Sequence, residues 1–146
     1  MSAAQLARNF YLAERLGGVF YDKFSAHVDN HDVAGAFSGF AAHEHEHARW
    51  YAEWLEARGH SVPSTFGLEL TLIPGLRAAL SPQPLALKLR TFALTELAAE
   101  HHLRSLVRRV RDPELRSIIE KTIPFEHAHA VWYQREGRRM LRRSDR

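Results

Sequence analysis

Apolar residues recur every three or four positions along most of this chain, and no stretch keeps the period of two that a half-buried strand requires. Leu6, Phe10, Ala13, Gly17, Phe20 and Phe24 mark one stripe and predict a helix over about 3–28. Asp29-Asn30-His31-Asp32 interrupts it with turn formers, and Asp32 is placed to cap the next helix. That second helix is predicted over about 33–58, with Phe37, Phe40, Ala41, Glu44, His47, Ala48, Tyr51 and Leu55 along one face. Gly59 supplies the left-handed residue that ends it. Residues 60–83 contain Pro63, Pro74 and Pro82, and read as a long crossover with a short helix near the apolar stretch Phe66 to Ile73. A third helix is predicted over about 84–110 and a fourth over about 113–142, with Pro113 at its first position. Pro124 lies inside the fourth and should kink it or split off its first turn. The expected fold class is all-α, one domain over 1–146, with two antiparallel helical hairpins joined by the crossover as a four-helix bundle.

Polar residues on the inward stripes change the picture. Residues 44–51 read EHEHARWY and residues 126–133 read EHAHAVWY, identical at six of eight positions. Each copy carries a Glu-x-x-His, Glu44 with His47 and Glu126 with His129, and each has a Glu thirty residues upstream, Glu14 and Glu96. The offset between copies is 82 residues throughout and also relates Phe10 to Phe92. Each predicted turn falls midway between the upstream Glu and the Glu-x-x-His. An antiparallel hairpin would therefore bring all three level, roughly 20–25 Å from the turn at about 1.5 Å per residue. Glu and His three apart project from one helix face.

Four carboxylates and two imidazoles in an apolar bundle are prohibitively costly as bare groups. Two divalent cations would cancel the four carboxylate charges. Mixed carboxylate and imidazole donors suit iron or manganese, whereas structural zinc favours thiolate-rich sites. One Glu-x-x-His occurs by chance on surface helices; two copies with matched upstream carboxylates and turns point to a pair of metal ions between the helices.

Composition narrows the chemistry further. The chain has no Cys, which removes thiolate catalysis, Cys-ligated metals and disulfides. The N-terminal segment carries scattered charges and does not resemble a secretory signal, and no apolar run approaches the roughly 18 residues of a membrane span. A cytoplasmic protein is expected. Net charge is +3, with Lys only at 23, 88 and 121. The C-terminal Arg138, Arg139, Arg142, Arg143 and Arg146 read as a solvated helix end, so nucleic acid is not an expected partner.

On these residues the sequence resembles the ferritin-like di-iron superfamily, and within it the rubrerythrin-type domain, over about 5–140. The resemblance implies two Fe ions, with Mn or a mixed Fe/Mn pair as the alternative. It makes Glu14, Glu44 and His47 the ligands of one half-site and Glu96, Glu126 and His129 those of the other, with Glu44 and Glu126 bridging or terminal according to redox state. Tyr21, two turns after Glu14, matches a tyrosine that stands behind the ligands there. Two features depart from the pattern. The four-Cys electron-relay module of full rubrerythrins is absent, and Ala93 stands where the family has an additional Glu. The site is thus more symmetric, as in bacterioferritin and the demethoxyubiquinone hydroxylases, and an external electron donor is expected.

Among the remaining polar residues, Glu100 lies one turn after Glu96 and could be a seventh ligand or a gate. His45 and His127 point about 100° away from the ligand Glu beside them and are expected at an interface or behind the ligands, not as ligands themselves. Trp50 and Trp132 are expected to cover the end of the site or fill core. His27, His31 and His60 carry no signal of function, and of His101 and His102 at least one must face away.

The implied activity is that of a rubrerythrin-like oxidoreductase acting on O₂ or peroxide, as a homodimer. The same ligands would serve a monooxygenase resembling the demethoxyubiquinone or tRNA hydroxylases, or a ferroxidase or iron-storage protein. The apolar crossover residues Phe66, Leu68, Leu70, Leu72 and Ile73 could admit a quinone from a membrane surface, or simply pack on the bundle or a partner.

Overall fold

The computed structural model describes residues 1–144; Arg146 lies outside them, as do the side chains of Leu68, Glu69, Arg143 and Ser144. The described residues are all-α. They form two compact units, Met1–Ser81 and a second beginning at Pro82.

In the first unit α1 spans Ala3–Ser25 and α2 spans His31–Glu56. Ser2 caps α1 by accepting from the Gln5 amide at 3.1 Å. Asn30, not Asp32, caps α2: its Oδ1 accepts from the Val33 amide at 3.0 Å. Asp32 instead sits in the first turn, where its charge faces the positive end of the helix dipole. Capping two residues earlier is why α2 begins before the predicted 33. At the other end Gly59 adopts φ 70°, and the amides of Gly59 and His60 bond back to Glu56 and Leu55, so a left-handed glycine stops the helix as expected.

The buried face of α1 is Ala7, Glu14, Gly18, Tyr21 and Phe24, rotated from the predicted stripe, and Ala13 is exposed. The hydrophobic pattern misleads here because a carboxylate occupies the centre of the inward face. Toward the turn the hairpin is filled by aromatic rings, with Phe37 4.5 Å from Phe24 and edge-on to Tyr21 at 5.5 Å. Farther from the turn Phe10 stacks on Tyr51 at 5.3 Å.

The crossover holds a 3-10 turn, Leu68–Leu72, running into α3, Ile73–Ala79, with Pro74 in the first turn. Both lie against α1 and Ala79 is buried. Phe66 and Leu70 do not pack on the hairpin; they are 98% and 69% exposed. Five residues of 3-10 geometry cannot turn every apolar side chain to one side.

In the second unit α4 spans Leu85–Val107 and α5 spans Pro113–Ser144. Asp112 caps α5, its Oδ1 accepting from the Leu115 amide at 2.8 Å. Asn30 and Asp112 are equivalent in the 82-residue repeat, as are the first-turn acids Asp32 and Glu114. α5 continues through Pro124 without splitting. Leu89, Leu115, Ile119 and Tyr133 are fully buried, and Phe92 packs on Tyr133 at 5.8 Å, the counterpart of Phe10 and Tyr51. Farther along, Leu55 is replaced by its counterpart Gly137, where a Cβ would come within 3.3 Å of the Ala86 carbonyl. The two halves therefore share the caps of their second helices and their central packing but differ toward the ends. They also differ at the start of their first helices, where Ser2 caps α1 and its counterpart Pro84 makes no side-chain cap.

Candidate metal centre

Each hairpin places one carboxylate on its first helix opposite a carboxylate and an imidazole on its second. In the first unit these are Glu14 on α1 with Glu44 and His47 on α2, and one ligand atom of each lies within 4.8 Å of the others. His47 Nδ1 is 3.2 Å from Glu14 Oε2, close enough for an imidazole N–H to donate to the carboxylate. In the second unit Glu96 on α4 converges in the same way with Glu126 and His129 on α5. All four glutamates are only 6% exposed, and both histidines are 0% exposed. Two buried carboxylates beside one buried imidazole would repel each other without a cation, and oxygen-rich donors with one nitrogen suit iron or manganese. Each triad therefore fits a divalent metal.

The neighbouring residues fall into two sets. Glu100 is not among the converging groups. Its carboxylate, 12% exposed, accepts from Arg104 Nε at 2.8 Å and from His127 Nδ1 at 3.0 Å. Burial pushes this carboxyl up, but the hydrogen bonds from His127 and Arg104 outweigh it and hold it below the ordinary carboxylate range. His45, equivalent to His127, is also held by a carboxylate from the facing helix, with Nε2 2.8 Å from Asp22 Oδ2 and Nδ1 3.3 Å from Arg15 Nη1. A guanidinium can only donate, so His45 accepts at Nδ1 and donates from Nε2. Both histidines thus contact the facing helix of their own hairpin.

Tyr21 is buried in the aromatic cluster, edge-on to Phe37 and Phe40. Its repeat counterpart Leu103 is buried as well. Trp50 is half-buried, its ring 5.1 Å from that of His47 and its Nε1–H donating to Glu46 at 3.1 Å. Trp132 packs edge-on against Tyr133. Glu46 is exposed and held below its ordinary pKa chiefly by its hydrogen bond from Arg49. His43 is half-buried and lowered, first by burial and then by the charge of His47. His101 and His102 are both exposed, and so are His27 and His31. His60 stacks on Trp54 at 6.4 Å. Of the C-terminal arginines, Arg139 is drawn into a chelate with the buried Glu136, while Arg138 and Arg142 are exposed.

Spacing alone missed Asp22, Arg15 and the glycine pair Gly17-Gly18. A Cβ on Gly17 would stand 2.7 Å from Glu44 Oε2, and one on Gly18 would stand 2.4 Å from His45 Cε1. The signal was present in the repeat, since the counterparts of these glycines are Ala99 and Glu100 and the counterpart of Asp22 is Arg104.

An all-α chain that buries the same Glu, Glu and His triad in each of two helical hairpins has the fold class and donor set of a ferritin-like carboxylate protein. The chain belongs to the rubrerythrin family, whose model matches residues 6–137. Comparison with curated proteins and with solved structures gave no match. Among the described residues no helix is long and apolar enough to cross a membrane.

Proposed function

We propose that the chain is a single ferritin-like domain whose two triads together hold a pair of iron ions, and that it is a non-haem di-iron oxidoreductase reacting with O₂ or peroxide. The observation that carries this is the duplicated, buried Glu, Glu and His triad in a chain of the rubrerythrin family. The proposed ligands are Glu14, Glu44 and His47 with Glu96, Glu126 and His129. Bound iron would supply the electrons for reduction of O₂ or peroxide, with manganese as the alternative metal.

The chain's own part is to prepare the place. Four carboxylates offset the charge of two divalent ions, so the loaded site carries no net charge into a buried environment. The two imidazoles, in the middle of α2 and of α5, are fully buried, so neither is open to solvent. Arg15 and Asp22 on one side, and Glu100 with Arg104 on the other, fix the histidines beside the ligand glutamates and so limit rotation of those helices. Reducing equivalents would come from an external donor, and the chain itself contains no Cys. We take the working form to be a cytoplasmic homodimer, with Leu87 and Leu94, exposed on α4, available to an interface.

Anaerobic loading with Fe(II), followed by O₂ or peroxide, tests this. Two irons per chain and a new near-ultraviolet absorption on oxidation are expected. Iron that remains free, or that oxidises no faster than in buffer, would overturn it.

A further inference from the structure

Two consecutive side chains of α2, Glu44 and His45, rest on two consecutive glycines of α1. Glu44 is only 6% exposed, and its carboxylate occupies the volume that a Gly17 side chain would fill: a Cβ there would be 2.7 Å from Oε2, 3.3 Å from Cδ and 3.5 Å from Cγ. The next residue is seated in the same way. The His45 ring lies over Gly18 and is tied at both nitrogens, to Asp22 and Arg15, so α2 cannot rotate at this level without breaking those bonds.

Both glycines lie inside a long helix, where glycine is a poor helix former. The counterpart turn of α4 does without them, carrying Ala99 and Glu100. The three atoms nearest to a Cβ at Gly17 all belong to the Glu44 side chain and none to the backbone of α2. Such a flexible group can move aside at little cost to folding, but here the group that would move is the carboxylate assigned to the metal.

We propose that Gly17 is a positioning residue for the Glu44 carboxylate, kept side-chain-free so that this ligand lies against α1, and that the two hairpins consequently hold metal with unequal affinity. Ala99 carries a methyl at the equivalent position, so Glu126 cannot take the same seat on α4. This inference rests on the metal-ligand reading given under Proposed function.

The test uses the full chain as wild type, Gly17→Ala and Ala99→Gly, each titrated anaerobically with Fe(II) and with Mn(II), and each melted without metal. Wild type is expected to bind two ions in two distinguishable steps. Gly17→Ala should melt no lower than wild type when metal-free, since alanine is the better helix former, yet bind at least one ion about tenfold or more weakly. Ala99→Gly should melt lower, because glycine is the poorer helix former, and should lose no affinity, tightening the weaker step if it changes at all, since Glu126 then gains the same seat. Wild-type affinity in Gly17→Ala would overturn the inference while leaving the metal-ligand reading intact. So would a lower metal-free melting temperature in that variant, which would assign Gly17 to helix packing. An equal loss of affinity in Ala99→Gly would overturn it too. Failure of the wild type to bind either metal would overturn the metal-ligand reading and this inference with it.

Discussion

His127 donates from Nδ1 to Glu100 Oε2 across 3.0 Å, and the other carboxylate oxygen of Glu100 is taken by Arg104. Both carboxylate oxygens of Glu100 are thereby engaged, and Glu100 is not among the groups that converge with Glu96, Glu126 and His129. Its depressed pKa has a consequence for stability. An unfolded glutamate titrates near about 4.3, so the contribution of this contact is fully present above that pH and is lost as pH falls through the lower folded value. Glu100→Gln should lower stability at neutral pH by no more than about 1 kcal/mol, because Arg104 is largely exposed. The difference from wild type should close below about pH 4. Denaturant unfolding at a series of pH values checks this; a difference that widened toward acid would contradict it.

The shared pair of ions proposed here makes each motif carboxylate responsible for more than its own hairpin. Glu44→Ala and Glu126→Ala should each lose metal from both positions, read as metal content per chain after desalting. Two tightly held ions with normal oxygen reactivity in either variant would show the ligand assignment to be wrong.

Metal removal should leave the helices formed but less stable. The caps, the aromatic packing around Phe37 and the buried Leu115 and Ile119 are independent of any ion. The buried carboxylates, in contrast, repel one another until a cation joins them. Free metal at a hundred times its dissociation constant should raise stability by about 2.7 kcal/mol. Circular dichroism with thermal melting measures both quantities, and identical melting with and without metal would argue against a buried site.

The equivalent caps provide a test free of metal. Asn30→Ala and Asp112→Ala each remove the side-chain acceptor for one helix-terminal amide, that of Val33 or Leu115. Each should cost about 1 kcal/mol. Asp32→Ala should cost less, because Asp32 sits in the first turn and is not the cap. A larger loss from Asp32→Ala than from Asn30→Ala would restore Asp32 as the cap.

Much of this was legible in the sequence because helical periodicity and an exact offset are local properties. Helix number and order, the Gly59 stop and the two triads follow from spacing, since a hairpin with its turn midway brings its ends level whatever surrounds it. Apolar periodicity by itself could not fix the inward face of α1. A buried Glu14 looks polar to any hydrophobic pattern, so the apolar stripe took in Ala13, which is exposed. Nor could it decide between Asn30 and Asp32, both good caps, because the choice depends on which oxygen reaches a free amide. The seats of Glu44 and His45 on Gly17 and Gly18, and the engagement of Glu100 by His127, belong to the tertiary structure alone. They arise from the closeness of two helix surfaces, and separations of a few ångströms between residues thirty positions apart are set by packing, which no single stretch of sequence contains.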